Sequence, residues 1–413
     1  MIPDFSSLRV LEIGTAVSVP LMAVTLRNLG ADVIKIESRQ KPDGNRVRVK
    51  KGASGGAPAV ADESFPLWHE FNGGKKSVLL NLKSPIGREL FLKLIAQSDV
   101  LVENFAPGWM ERIELSAAKL HVVNPRLIIV SASGYGQEGP KSQQRVYAPV
   151  MTALGGQEAL VGEESGEVTG AMPIAFGDFN AGYNGAFCLF AALYRREQTG
   201  RGCVIDLSQI EAVTATLGEA FVEMALTGQR PVPVGNHSPW RVPHGIFPCA
   251  GDDRWVSLSI GSDAEWQALA RLIRADDADL GARAAEAGLA TLAGRLARRH
   301  EVEGLVATWT ARSERTALAA LLQEAGLRAA VVYESDEMEN DAHYRARRFT
   351  RDVTHPRLGV IPVTSTPWLF DGVTAVSQGA GPGLGEHTHA VLGALCGLER
   401  DLIDRYLEEG HLG

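Results

Sequence analysis

Cysteine is scarce in this chain. Four residues, Cys188, Cys203, Cys249 and Cys396, are scattered over 413 positions, with no Cys-x-x-Cys and no Cys/His cluster. That spacing argues against a disulfide framework and against a cysteine-based zinc site, and it fits a reducing cytoplasm. Long apolar runs are missing too. The most apolar stretch, Ala181 to Tyr194, is short and interrupted by Gly182, Asn184 and Gly185, so it reads as a buried helix and not as a membrane span. The opening MIPDFSSLRVLEIG has no basic segment followed by an apolar one, so no signal peptide is expected. Positive charge is not in excess: 41 Lys and Arg face 49 Asp and Glu, for a net charge of −8. Nucleic acid as a partner loses support, whereas a local basic pocket for an anionic ligand does not. No repeat at a fixed period is visible.

Several catalytic signatures are also absent or out of place. The first strand–helix turn reads Gly14-Thr-Ala-Val-Ser-Val-Pro20, which is not a G-x-G-x-x-G loop. A literal G-x-G-x-x-G occurs at Gly134 to Gly139, but Pro140 and polar residues follow it where a helix is required. A literal G-x-S-x-G at Gly52 to Gly56 has no strand before it, so it is no nucleophile elbow. There is no Walker A loop and no H-E-x-x-H. No metal site and no tightly bound cofactor are therefore expected.

What is present is an ordinary globular composition, 45% apolar and 22% charged, on a chain long enough for two or three domains. β-Branched runs at Arg9–Ile13, Asp32–Glu37, Ser77–Leu82, Val100–Phe105 and Leu127–Ser131 read as strands. Pro20–Asn28 and Pro85–Ala96 read as helices between them. This alternation predicts a parallel sheet covered by helices, with ligands beyond the carboxyl ends of the strands. Those ends carry Gly14 to Ser18, Ser38 and Arg39, Asn104 to Gly108, and Ser133 to Gln137, Tyr135 among them. Gly44 to Ala61, rich in Gly, Ala, Lys and Arg, reads as a mobile surface loop. The five prolines of Pro231–Pro248 predict an irregular connection. Trp255–Ile260 then reads as a strand, Ala264–Ile273 as a helix and Ala278–Gln323 as helical. Leu327–Tyr333 reads as a buried strand, and His389–Glu409 as a final helix broken near Gly397. A smaller domain at about 225–325 is expected.

Gly177-Asp178 stands directly before the apolar helix. On the residues alone, Asp178 is either an N-cap that accepts backbone N–H bonds or a functional carboxylate kept ionised by those donors and the helix dipole; both can hold together. After that helix, Leu193-Tyr-Arg-Arg-Glu-Gln-Thr-Gly-Arg-Gly202 and Val204-Ile-Asp-Leu-Ser208 give a helix end, a glycine turn and a strand.

These motifs carry a resemblance. VLEIG (10–14), LGADVIKIES (29–38), KKSVLLNLKSPIGRELFLKLIAQSDVLVENFAPG (75–108), NPRLIIVSASGYGQEGP (124–140), GD (177–178), RREQTGRGCVIDLSQIEAV (195–213) and LGEHT (384–388) run in family order. With them the chain resembles the family III CoA transferases, the group of formyl-CoA transferase and carnitine CoA-transferase. The resemblance implies an α/β fold: a Rossmann-like large domain (1–215 plus 330–413), an inserted smaller α+β domain (225–325), linkers at 216–224 and 326–329, and an interlocked-ring dimer, homomeric or with a paralogue. It places the catalytic nucleophile on Asp178 and the CoA contacts on Leu80, Lys83, Asn104, Phe105, Arg112 and Ile113. The strand-end residues Ser18, Arg39, Ser133 and Tyr135 join them as candidates. Acyl-CoA and a carboxylic acid are the implied substrates, with succinyl-CoA a common donor. The implied route runs through a mixed anhydride and an aspartyl-CoA thioester. By residue type alone, Lys83 fits a solvated surface lysine as well as a phosphate contact, and Phe105 fits a core aromatic as well as a ligand wall.

The chain also departs from the family. Ser18-Val19-Pro20 replaces the usual Ala-Gly-Pro, Val17 stands near a glutamine of formyl-CoA transferase, and Ser133 stands near its lysine. Its glycine-rich loop has no equivalent in Gly235–Gly245. These differences imply a less polar acyl pocket, with Trp240, Tyr147 and Trp109 as wall candidates or as ordinary packing residues. Backbone N–H groups near Gly177 and in the Ser133–Gln137 turn are candidate oxyanion donors, and Gln137 and Glu138 are candidates for orienting the acid. Two other readings remain open. The α-methylacyl-CoA racemases share the fold but use a His-Asp pair that aligns here with Tyr147-Ala148, and tyrosine, with a pKa of about 10, is a poor base at neutral pH. A supporting subunit beside a catalytic paralogue is the non-enzymatic alternative.

Overall fold

The computed structural model describes residues 3–46, 63–170, 175–375 and 379–413. Two compact units emerge. One takes Met1–Gln157, Ala171–Val222 and Ala342–Gly413; the other takes Glu158–Gly170 and Glu223–Asp341.

The first unit is built on six strands: β1 (Arg9–Glu12), β2 (Asp32–Glu37), β3 (Lys76–Leu79), β4 (Val100–Glu103), β5 (Ile128–Ser133) and β6 (Cys203–Ser208). All are parallel, in the order β3-β2-β1-β4-β5-β6. This is the doubly wound arrangement, in which the chain reverses direction across the sheet between β1 and β4 and opens a crevice beyond their carboxyl ends. Strands β1 to β5 are largely buried on both sides because both faces are covered, whereas β6 exposes Val204 and Asp206. Val10, Val33, Val100, Val102, Ile128 and Val130 point to one face, where they meet Val19, Met22 and Leu26 of α1 (Ser18–Asn28) and Ala186 and Leu189 of the long helix Phe176–Thr199. Leu11, Ile34, Ile36, Leu101 and Ile129 point to the other. There Leu90, Phe91 and Leu94 of the Pro85–Ile95 helix and Val391, Leu392 and Ile403 of the C-terminal helices cover them. The helix broken near Gly397 is indeed two helices, Thr388–Cys396 and Arg400–Glu408, with Gly397 left-handed between them.

The C-terminal segment is tied to β3. His387 N–H donates to the Ser77 carbonyl (2.9 Å), Gly385 N–H to Ser77 Oγ (2.8 Å), and Leu79 N–H to Thr388 Oγ1 (3.1 Å). The LGEHT motif is therefore an anchor that closes the sheet's edge.

Charges lie inside this unit. Glu12, at the end of β1, is fully buried, and its two oxygens accept from Lys35 Nζ (2.7 Å) and Lys75 Nζ (2.6 Å). Lys35 also pairs with Asp43 (3.0 Å) and donates to the Gly14 carbonyl (2.6 Å). Lys75 also donates to the Pro20 carbonyl (2.9 Å) and Asn72 Oδ1 (3.1 Å). Two ammonium groups thus face two carboxylates. Burial pushes Lys75 down to about 8, with Glu12 opposing the shift, so the ammonium stays protonated at neutral pH. Beside this cluster, Arg46 donates to both oxygens of Glu37 (2.9 and 2.8 Å) and to Glu63 (3.0 Å), and its guanidinium lies 3.5 Å from the Trp68 ring centroid. The stretch read as a mobile loop is therefore different at its start. Gly44–Arg46 is a turn whose Asn45 and Arg46 are buried, because Arg46 has two carboxylates to reach. Residues 47–61 of that stretch lie outside the described residues.

The second unit packs a three-stranded antiparallel sheet, β7 (His244–Pro248), β8 (Trp255–Ser259) and β9 (Arg328–Val331), against helices that include Asp263–Asp276 and Arg299–Thr310. Its core holds Val256, Leu258, Trp266, Leu269, Leu305 and Trp309. β7 falls inside the proline-rich stretch read as irregular: Pro243 precedes the strand and Pro248 closes it. Among the described residues no helix is long and apolar enough to cross a membrane.

Removing one partner from a buried ion pair costs about 3–5 kcal/mol, because the other charge is left uncompensated. Glu12→Gln is expected to lower the unfolding free energy by an amount in that range, read as a lower urea midpoint with an unchanged dependence on denaturant. A midpoint equal to that of the parent protein would show that the cluster is not a stabilising constraint.

Candidate active site

The crevice between β1 and β4 is shaped by the turn from Gly14 to Ser18. Gly14 is required there, since a Cβ would fall 2.1 Å from Val19 Cγ1. Ala16 sits in the left-handed region at φ 64°, a conformation that costs a non-glycine residue energy and must be held from outside. It is held closely. Asp43 Oδ1 accepts the Ala16 N–H (3.2 Å) and Asn45 Nδ2 donates to the Ala16 carbonyl (2.6 Å). Asn104, from the end of β4, accepts the Thr15 N–H (3.0 Å) and donates to the Thr15 carbonyl (2.9 Å) and to Ser18 Oγ (3.5 Å). Burial opposes ionisation of Asp43, but the Lys35 ammonium and the N–H groups of Asn45 and Ala16 outweigh it and hold the carboxyl below its usual range.

Asp178 meets this turn. It is the third residue of the long helix, whose N-cap is Ala175 and which has no side-chain cap. Asp178 is thus not the N-cap of its own helix: its carboxylate lies close enough to the backbone N–H of Ser18, the first residue of α1, for that dipole to favour the ionised form. That N–H has no partner within its helix, and the positive end of the α1 dipole points at the same place. The contact depends on close helix packing. A Cβ on Gly182 would fall 2.9 Å from the Ser18 carbonyl and from Leu21, and one on Gly185 would fall 2.1 Å from Met22 Cε. These two glycines let the long helix lie against α1. Among the described residues no cation pairs with Asp178, and burial pushes its carboxyl up to about 6, with the Ser18 N–H opposing the shift. At neutral pH the group is an ionised, partly dehydrated carboxylate, more basic than one in water.

The structure brings Asp178 and Asn104 to the start of α1, where Asn104 Nδ2 donates to Ser18 Oγ (3.5 Å) and the Ser18 N–H favours the ionised Asp178 carboxyl. The other candidates lie at various places around the strand ends. Phe105 is half-buried and stacks on Trp109, with ring centroids 4.1 Å apart. Leu80 and Ile113 are buried in the core, so they can offer a ligand only backbone atoms. Lys83, Arg112 and Arg39 are exposed, and among the described residues none forms an ion pair; Arg112 makes only a long bond to the Pro107 carbonyl (3.4 Å). Ser133, at the end of β5, is buried, and among the described residues its hydroxyl has no hydrogen-bond partner. Tyr135 has the Lys141 ammonium 5.9 Å from its ring centroid.

Other expectations change. The Gln137 N–H is taken by both oxygens of Asp206 (2.9 Å each), so it is not a free oxyanion donor. Gln137 lines a cavity of ≈ 30 Å³ with Glu103, Ser131 and Trp109. Burial pushes Glu103 up to about 6 there, against bonds from Ser131 and the Phe105 N–H. Val17 packs with Leu21, Val24 and Phe71 in a small apolar cluster, so it serves packing and not a ligand wall. Tyr147 and Trp240 are both exposed. Sequence reasoning missed Asp43, Asn45 and the Glu12–Lys35–Lys75 cluster. The one available signal was that charged residues interrupt otherwise apolar strands.

A doubly wound sheet with a half-buried carboxylate near a helix N-terminus at its crevice is an α/β frame whose ligand site lies beyond the strand ends. Comparison with known proteins narrows the class. Residues 5–388 match the model of CoA-transferase family III, and the chain belongs to that family: it is a CoA-transferase. It is 30% identical to the succinyl-CoA–D-citramalate CoA-transferase of Chloroflexus aurantiacus over 95% of this chain and 94% of that one. It is 28% identical to the succinate–glutarate CoA-transferase of Agrobacterium fabrum over 96% and 97%. Among solved structures, a CAIB/BAIF family protein from Brucella suis superposes with a TM-score of 0.83 at 27% identity, covering 94% of this chain and 98% of that one.

The raised Asp178 carboxyl predicts a stability effect of definite sign. The folded state holds this proton more tightly than the unfolded chain does, so it gains nothing below the unfolded pKa near 4 and bears a buried charge above about 6. Asp178→Asn should therefore be more stable than the parent protein at pH 8, by about 1–2 kcal/mol after discounting for partial solvation. The gain should vanish at pH 4. Denaturant melts at the two pH values measure it; a destabilised variant at pH 8 would mean that the bond to Ser18 outweighs the burial cost.

Proposed function

We propose that the protein moves CoA from an acyl-CoA to a free carboxylic acid with Asp178 as covalent nucleophile. The observation that carries this reading is the Asp178 carboxylate itself: partly dehydrated, without a cation among the described residues and close to the Ser18 N–H at the start of α1. A carboxylate Oδ attacks the thioester carbonyl, the C–S bond breaks, and CoA thiolate leaves a mixed anhydride on Asp178. The thiolate then attacks the aspartyl carbonyl, the donor acid leaves as its carboxylate, and an aspartyl-CoA thioester remains. The acceptor carboxylate reverses both steps and regenerates Asp178. Every step keeps one activated acyl bond, so no ATP and no redox partner is consumed. The α1 N-terminus stabilises negative charge where the tetrahedral intermediates form.

Lys83 and Arg112, exposed and without ion pairs among the described residues, serve as cations for CoA phosphates in this reading, with the half-buried Phe105–Trp109 stack as a further ligand contact. The relatives whose names join succinyl-CoA or succinate to a second dicarboxylic acid support a donor of the succinyl-CoA type and a small dicarboxylate as acceptor.

The chain is also proposed to work as a dimer. The long helix that carries Asp178 turns Tyr183, Phe187 and Tyr194 to solvent on one face, and the Gly218–Thr227 helix buries none of its residues while exposing Phe221, Val222 and Leu226. Exposed large apolar side chains on helix faces of this kind mark an interface.

Incubation with acyl-CoA and no acceptor should leave an adduct on the Asp178 peptide, which hydroxylamine converts to a hydroxamate found by mass spectrometry. Asp178→Asn should lose turnover by orders of magnitude while staying folded. In the same assay Lys83→Ala and Arg112→Ala should weaken CoA binding by about 1.5–3 kcal/mol each. Full turnover in the Asn variant, or an adduct on another residue, would sink the mechanism. Sedimentation of the purified chain is expected to give twice 44.3 kDa. A monomer active only beside a paralogue would assign the apolar face to that partner, and a fully active monomer would rule the dimer out.

A further inference from the structure

The second unit carries a cluster of titratable side chains that CoA transfer does not use. Glu164 sits in a turn closed by the Gly162–Val168 bridge, His237 lies in the loop before β7, and His300 and Glu303 lie on the Arg299–Thr310 helix. Both imidazoles direct a nitrogen at one carboxylate oxygen: His237 Nδ1 is 2.9 Å and His300 Nε2 is 3.8 Å from Glu164 Oε1. One ligand atom from each of the three residues lies within 4.8 Å of the others. The rings meet edge to face, with centroids 5.8 Å apart. On its far side His237 presents Nε2 to Glu303 at 3.3 Å.

We infer that this cluster is a site for one divalent cation of the zinc class, held by His237 Nδ1, His300 Nε2 and the Glu164 carboxylate. Bonds of 2.0–2.1 Å in a tetrahedron put neighbouring ligand atoms about 3.3 Å apart, and the two separations to Glu164 lie on either side of that value. The partner on the far side is equally telling. A histidine bound to metal through one nitrogen donates its other N–H to a carboxylate, and Glu303 stands where His237 Nε2–H needs it. Two nitrogens and one oxygen suit zinc and its transition-metal neighbours, whereas calcium and magnesium take oxygen ligands throughout. Three protein ligands leave a fourth position for water. The alternative, a His237 imidazolium between Glu164 and Glu303, gives His300 no role.

The expectation of no metal rested on cysteine spacing and on the absence of short motifs. These ligands come from three distant segments, which no motif scan joins. The cation would clip the Glu164 turn and the His237 loop to the Arg299–Thr310 helix. Because it binds only the assembled site, it would stabilise the folded unit by mass action.

The test uses tag-free, full-length protein stripped with a chelator and titrated with cobalt(II), followed by displacement with zinc. The expected result is one equivalent with the visible d–d bands of tetrahedral or five-coordinate cobalt, displaced by zinc, and a thermal midpoint that rises with zinc. His300→Ala, a change at an exposed ring that leaves the core intact, should weaken binding roughly tenfold or more, and Glu303→Gln by about 10–100-fold. Three outcomes would overturn the site: no saturable cobalt spectrum, a spectrum unchanged in His300→Ala, or a thiolate-to-cobalt charge-transfer band, which would put the metal on a cysteine.

Discussion

The geometry of the first unit depends on Glu12. Its carboxylate, wholly buried at the end of β1, holds the ammonium groups of Lys35 on β2 and Lys75 just before β3, and so ties neighbouring segments at their reactive side. Bare charges at that depth would be prohibitive. Two carboxylates and two ammonium groups, with further backbone or amide partners for Lys35, Lys75 and Asp43, make them tolerable. The return is positional. Lys35 fixes the Gly14 carbonyl and orients Asp43, and Asp43 with Asn45 holds Ala16 in the left-handed conformation that turns the chain into α1.

The direction of α1 in turn sets the electrostatics of Asp178. Burial raises the carboxyl, and among the described residues the Ser18 N–H is what opposes the shift. A cation beside it would lower its basicity and its reactivity, whereas a helix N-terminus holds it without neutralising it. Gly182 and Gly185 are part of the same device, because a side chain at either position would push α1 away and take the N–H with it. The reactive group, the turn and the charge cluster therefore form one mechanical unit. Its parts come from positions 12 to 185, and each is placed by the sheet.

How much of this was legible beforehand differs by kind of feature. The strands at Arg9, Asp32 and Val100 and the helix at Pro85 were read within one or two residues, because burial on both faces leaves continuous β-branched runs and Ser84-Pro85 marks a helix start locally. The helix ending at Asn28 begins two residues before the expected Pro20, since Ser18 and Val19 already turn inward. β7 was missed because prolines at its ends masked five paired residues. Gln137 was read as a possible donor, and only the approach of Asp206 from the neighbouring strand shows its N–H already taken.

The sequence by itself determined the parallel α/β class, the position of Asp178 at the head of the long helix and membership in the CoA-transferase family. These rest on patterns repeating every two to four residues and on motifs in a fixed order. Tertiary structure alone decided the strand order, the partners of Lys35 and Lys75, and the placing of Asp178 near the start of α1 and not at the cap of its own helix. The physical reason is range. Hydrophobic periodicity and capping act between near neighbours and leave a local trace. A buried charge pair joins residues far apart in the chain, and only the folded sheet brings them within 3 Å.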